Sequence, residues 1–232
     1  MGTELPSVDV IVPYQATGSL RAANLHRLLG HWRSSFPRYD VQVGQIPADV
    51  PWCKADAISE ALARTEGDIL VIADADVWLD PEYVRRAVRL VNHRRAPWVV
   101  PHRMVHRLAA EPSAAWRPDT NGLLGPVERR PYIGVPGGGM FVVRREDYVE
   151  VPMDPRFRGW GGQDIAWAHA ADTLIGKHRR LHGTLIHLHH EVQPTKADQP
   201  SRHANDALMR RYATARDRRA VMRRLVQEPV IT

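Results

Sequence analysis

Apolar residues fall into short runs separated by polar, proline- and glycine-marked breaks, and the spacing inside the runs changes along the chain. Val8 to Val12 is a mainly apolar run stopped by Pro13, which predicts a buried strand. From Ser19 to Trp32 the apolar positions Leu20, Leu25, Leu28, Leu29 and Trp32 recur at helical spacing. Val41 to Ile46 alternates like a second strand, Lys54 to Ala63 reads as a helix, and Asp68 to Ala73 suits a central parallel strand. Asp80-Pro81 marks a helix start, with Glu82 to Val91 helical and Trp98 to Pro101 another strand. His102 to Pro131, rich in proline, arginine and turn residues, is expected to be a long surface loop. Gly137-Gly138-Gly139 leads into a strand from Met140 to Val143, Gln163 to Leu174 forms a helix, and Ala204 to Val226 is read as one strongly basic helix.

Strands alternating with helices imply an α/β chain with a mostly parallel, doubly wound sheet flanked by helices, whose ligands gather at the carboxyl ends of the strands. Pro13-Tyr14-Gln15, Gln45 and Asp74 to Asp76 fall at such ends. With no internal repeat and no Gly/Ser linker, the expectation is one main domain over residues 1–200 and a basic helical extension over 201–232.

Composition narrows the setting. A length of 232 residues with 44% apolar content supports a sizeable core. The single cysteine, Cys53, excludes an internal disulfide framework and fits a reducing compartment, where it reads as a buried spacer. The first residues lack a basic region followed by an apolar run, and no stretch is long enough to span a bilayer, so a cytoplasmic protein is expected. A net charge of +6 suits anionic partners, whether nucleotides, membrane surfaces or nucleic acid, and does not choose among them.

The chemistry is carried by acidic clusters far apart in the chain. Asp74 and Asp76 follow a buried strand one residue apart, so an extended backbone aims both to one side. Carboxylate oxygens suit a hard divalent cation such as Mg²⁺ or Mn²⁺, which would neutralise a departing diphosphate; ordinary turn and capping acids are the alternative. Downstream stand Gly159-Trp160-Gly161-Gly162-Gln163-Asp164 and, after an apolar run, His187-Leu188-His189-His190-Glu191. His187 and His189 are expected on one face of a strand end, and imidazole beside carboxylate favours Mn²⁺.

In this order, Ile11-Val12-Pro13-Tyr14, Trp52-Cys53-Lys54-Ala55, Asp74-Ala75-Asp76, Gly138-Gly139 and the Gly159 to Asp164 run resemble a GT-A fold glycosyltransferase. The nearest likeness is to the inverting β-galactosyltransferases and the bacterial chondroitin-polymerase-like transferases, and it covers Val8 to Glu191. The resemblance implies that Pro13, Tyr14 and Gln15 line a nucleoside pocket and that Lys54 lies near the nucleotide. It implies that Asp76 is the principal metal ligand, with Asp74 against the ribose or a metal-bound water. Gly138 and Gly139 match the glycine pair of the sugar pocket, and Trp160 the aromatic between donor and acceptor. Asp164 takes the place of the catalytic base, and His189, with His187 second, that of the histidine metal ligand. Gln163 replaces the family's glutamate; it can hydrogen-bond a sugar hydroxyl but takes no proton at neutral pH.

The expectation is therefore a metal-dependent inverting transfer of a sugar from a UDP-sugar to an acceptor hydroxyl. The acceptor is left open among glycan, lipid-linked sugar, protein and nucleic acid. A nucleotidyltransferase on a related sheet and a basic nucleic-acid-binding protein are the alternatives; the first lacks a glycine-rich triphosphate loop, and the second leaves the Trp-Gly-Gly-Gln-Asp run unexplained. The arginines of the last helix read first as solvated surface, and second as a peripheral membrane or nucleic-acid contact.

Overall fold

The computed structural model describes residues 6–117, 126–191 and 201–229. The chain runs β1 (Val8–Gln15), α1 (Ser19–Ser35), β2 (Asp40–Ile46), α2 (Lys54–Leu62), β3 (Ile69–Ala73), β4 (Val77–Trp78), α3 (Pro81–Asn92) and β5 (Trp98–Arg107). It continues with α4 (Ala110–Ala115), β6 (Tyr132–Ile133), β7 (Met140–Arg144), α5 (Arg145–Glu150), α6 (Gln163–Leu174), β8 (Arg179–His187), α7 (Arg202–Ala215) and α8 (Arg219–Val226).

The strands form one sheet in the order β2-β1-β3-β7-β5-β8-β4, with β6 paired to β5 outside that path. Its period-2 alternation divides the core. Val8, Val10 and Val12 of β1, with Ile69 and Val71 of β3, meet Trp32 of α1 and Val84 and Val88 of α3 on one face. Ile11, Leu70 and Ile72 meet Ala57 and Ile58 of α2 and Trp167 of α6 on the other. Burial of each large side chain contributes about 1.5–3 kcal/mol.

The doubly wound half lies at β2-β1-β3, where both pairings are parallel. The other half is mixed: β7 runs antiparallel between β3 and β5, while β5 and β8 pair in parallel. An apolar run such as Met140 to Val143 specifies a buried strand but carries no direction.

Two expectations are corrected. The strand begun at Trp98 does not stop at Pro101 but continues to Arg107, followed by α4, so His102 to Pro131 is not one loop; residues 118–125 of that stretch lie outside the described ones. The expected basic helix from Ala204 to Val226 is two helices, broken where Asp217 takes φ 62°. Both pack against α6: Leu208, Tyr212, Met222 and Leu225 enclose a third core with Phe157 and Ala166.

Candidate active site

Where β1 and β3 end, a cavity of about 410 Å³ opens. Pro13, Tyr14 and Gln15 form one wall, the loop around Gly138 and Gly139 another, and the Trp160 to Asp164 run a third. The Gln15 amide donates to the carbonyls of Pro47 at 2.7 Å and Val50 at 2.9 Å, which fixes the loop beyond β2.

Lys54, the first residue of α2, is 5% exposed and joins two acidic segments. Its Nζ lies 2.7 Å from Asp74 and 2.9 Å from Asp164. Burial works against the ammonium, but Asp164 and Asp74 outweigh it, so its pKa lies above the ordinary lysine range. Asp74 is pushed up to about 6, first by burial, with Lys54 opposing and Asp164 and Asp76 adding repulsion. Its second oxygen accepts from the Gly139 N–H at 3.1 Å. Asp74 is thereby tied to Lys54 and the glycine loop.

Asp76 belongs to a different group. One oxygen of Asp76 and one ring nitrogen each of His187 and His190 lie within 4.8 Å of one another. This group differs from the expected ligand set at two positions. The group contains His190 where His189 was expected, because β8 ends at His187 and strand alternation does not extend past it. The His189 ring instead contacts Glu128, and its backbone is held by Ser113 and Asn24. Asp74, also expected as a ligand, is outside the group for the reason given above.

Burial raises Asp76, yet His187, His190, Arg21 and Arg107 hold it below the usual carboxylate range. Burial pulls His187 down to about 4 although Asp76 opposes this, so its ring is neutral at neutral pH, the form that coordinates metals. A carboxylate with imidazoles is a donor set that fits Mn²⁺. Arg21 Nη1 is 3.7 Å from Asp76, and Arg107 Nη2 is 2.9 Å from His187 Nε2.

The aromatic wall is a pair. Trp160 stacks on Trp52 with ring centres 5.8 Å apart and planes at 19°, and Arg21 lies 5.1 Å from the Trp160 ring centre. Gly162, with φ 84°, turns the chain into α6 so that Asp164 falls in its first turn, at the cavity. The neighbouring Gln163 is 7% exposed, and its amide donates to the Asp154 carbonyl at 3.2 Å.

Residues 36–151, half of the chain, match the family model described as glycosyl transferase family 2. The chain belongs to this family. It is a glycosyltransferase, which sets aside the nucleotidyltransferase and nucleic-acid readings. The fold is GT-A. A solved structure of glucosyl-3-phosphoglycerate synthase from Mycobacterium tuberculosis, in complex with Mn²⁺ and UDP-glucose, is similar over 97% of this chain and 80% of that one, with TM-score 0.51 and 17% identity. A structure of GalNAc-T7 with UDP, GalNAc and Mn²⁺ is similar over 88% of this chain and 47% of that one, with TM-score 0.55 and 14% identity. At such identities the likeness is one of fold. No curated protein matches the chain by sequence.

Several residues of the candidate site escape sequence reading: Arg21, His102, Arg107, Glu128 and His190 all line the cavity. Arg21 was hidden on the polar side of a helix, and His102 and Arg107 lay in a stretch read as loop. Cys53 is buried, with its thiol pushed up to about 11 by burial, the setting of a spacer and not of an activated thiol. Among the described residues no helix is long and apolar enough to cross a membrane.

Proposed function

We propose that this glycosyltransferase moves a hexose from a UDP-sugar to an acceptor hydroxyl by single displacement, with inversion, using a divalent cation held by Asp76, His187 and His190. The observation that supports this best is that these three side chains converge in the same cavity as Lys54, Asp74 and Asp164. The two similar structures, which contain UDP or UDP-glucose with Mn²⁺, favour the same donor and metal.

Pro13, Tyr14 and Gln15 would hold the nucleoside, and Gly138 and Gly139 would let the sugar approach the backbone. A bound Mn²⁺, or Mg²⁺ in its place, would neutralise the diphosphate as it leaves. Asp164 would take the proton from the acceptor hydroxyl, since single displacement needs one base and no protein nucleophile. Lys54, 2.9 Å from the Asp164 carboxylate, would fix its position for this role. Trp160, with Trp52 behind it, would pack on the apolar face of the acceptor. Gln163 is engaged with Asp154 and is better placed to shape the wall than to exchange protons.

Calorimetric titration of UDP with and without Mn²⁺ tests donor and metal: the required outcome is metal-dependent binding that Asp76→Ala loses while keeping its fold. The first anomer released on slow hydrolysis of an α-linked UDP-sugar, read by NMR, tests the stereochemistry. A predominantly α product would remove the inverting assignment.

A further inference from the structure

Beneath the glycine loop, β5 delivers a side chain that the scheme above leaves unused. The β5–β8 ladder pairs Val100 with Arg180, skips, pairs His102 with Gly183, and skips again before Met104 meets Thr184. Irregularities on both sides of one residue re-aim its side chain, a device common beside active sites. Gly183 permits the close approach, since a Cβ there would lie 2.7 Å from the Pro101 carbonyl oxygen.

The His102 ring is thus brought against the cavity floor with 0% of its surface exposed. A Cβ on Gly134 would lie 2.7 Å from its Nε2, and one on Gly139 would lie 3.7 Å from its Cε1. The ring therefore underlies both ends of the loop 134–139. Among the described residues neither Nδ1 nor Nε2 has a hydrogen-bond partner. Burial holds the ring neutral, its pKa pushed down to about 3, so one nitrogen is a donor and the other an acceptor. Leaving both unmet at full burial destabilises the fold, and an apolar ring would fill the same space without this cost.

We propose that His102 reads the transferred sugar: as the hexose enters, the glycine-rich loop shifts off the imidazole, which then hydrogen-bonds a ring hydroxyl and sets which hexose is preferred. This rests on the nucleotide-sugar reading above. A hydroxyl both donates and accepts, so it matches either exposed ring nitrogen, whereas a sugar without a hydroxyl at that place leaves the imidazole unpaired. Gly134, Gly137, Gly138 and Gly139 supply the backbone freedom for the shift. His102 is outside the Asp76 group, so its task is separable from metal binding.

The test is calorimetric titration, in Mn²⁺, of UDP, UDP-glucose, UDP-galactose, UDP-GlcNAc and UDP-GalNAc against wild type, His102→Phe, His102→Leu and His102→Gln. Wild type is expected to bind one UDP-hexose more tightly than UDP and than its C4 epimer. His102→Phe should bind UDP within about twofold of wild type but lose about tenfold for the preferred donor, the worth of one hydrogen bond. His102→Gln, which can still donate and accept, should keep part of the preference. Thermal unfolding checks the variants, and His102→Leu serves if the phenylalanine variant does not fold. An unaltered ratio of UDP-hexose to UDP affinity in a folded apolar variant overturns the role of His102 alone. Failure of wild type to bind UDP at all overturns the donor reading, and this inference with it.

Discussion

The ammonium of Lys54 donates to the Asp164 carboxylate at 2.9 Å, joining the first turns of α2 and α6 across 110 positions of sequence. With Lys54 replaced by methionine, Asp74 and Asp164 would repel each other without a counter-charge. Removing one partner of a buried pair costs about 3–5 kcal/mol. Because the two carboxylates keep 32% and 33% of their side-chain surface exposed, solvent screening brings the expected loss to about 2 kcal/mol. Urea unfolding of Lys54→Met should show it, and adding Asp74→Asn should return part of it.

The metal reading separates adjacent histidines. His190→Ala and His187→Ala should each weaken Mn²⁺ binding by at least about tenfold, while His189→Ala, whose ring faces Glu128, should change it less than about threefold. Titration of Mn²⁺ followed by electron paramagnetic resonance measures this directly. Equal losses in His189→Ala and His190→Ala would contradict the geometry.

Loss of the proposed base should touch chemistry and spare binding. Asp164→Asn keeps the shape and an acceptor oxygen for Lys54, so UDP affinity should stay within about threefold. Sugar transfer, followed by UDP release, should fall by about 10²–10⁴, the usual contribution of a positioned base. A variant transferring at more than about a tenth of the wild-type rate would remove Asp164 from that role.

How much of this was legible follows from what a sequence pattern encodes. β1 and β3 could be read from their apolar runs, although β1 does not stop at Pro13 but continues to Gln15, and α6 was expected to begin at the Gln163-Asp164 pair. The antiparallel course of β7 could not be read, since burial marks both directions alike. β5 was cut short because His102, Arg103, His106 and Arg107 look like loop, although the strand places them at the site and along the sheet. The break before α8 falls at Asp217, a non-glycine residue with positive φ, which leaves no glycine or proline mark. His190 was missed for a related reason: the rule of alternation lapses where β8 ends.

Buried neutral histidines give stability a pH dependence with a definite sign. Burial lowers His31 to about 4 and His102 to about 3, from an ordinary 6.5. As pH falls below 6.5 the unfolded chain takes up these protons and the folded chain does not, so stability is fullest above pH 6.5 and is lost on acidification toward pH 4. The slope from one such group is about 1.4 kcal/mol per pH unit. In urea unfolding between pH 7 and pH 5, His102→Gln should flatten the dependence, and an undiminished slope would count against its neutral burial.

The last helices support the site mechanically, and a single amide carries the link. Asn205 of α7, 3% exposed, donates to the Arg158 carbonyl at 2.7 Å and accepts from the Arg158 N–H at 3.3 Å, while Ser201 donates to the same carbonyl at 2.6 Å. One turn on, Met209 lies where a Cβ on Gly162 would come within 3.3 Å. The loop that presents Trp160 and starts α6 is thus held from behind. Asn205→Ala leaves the Arg158 N–H without its acceptor and the Arg158 carbonyl with Ser201 alone, which costs about 1–3 kcal/mol. Because the loop can yield while the sheet stays intact, the larger effect should be kinetic: acceptor KM rising severalfold with UDP affinity unchanged. Hydrogen exchange should show faster amide exchange confined to residues 157–164. A loss of UDP binding equal to that for the acceptor would mean that α7 supports the whole domain and not this loop.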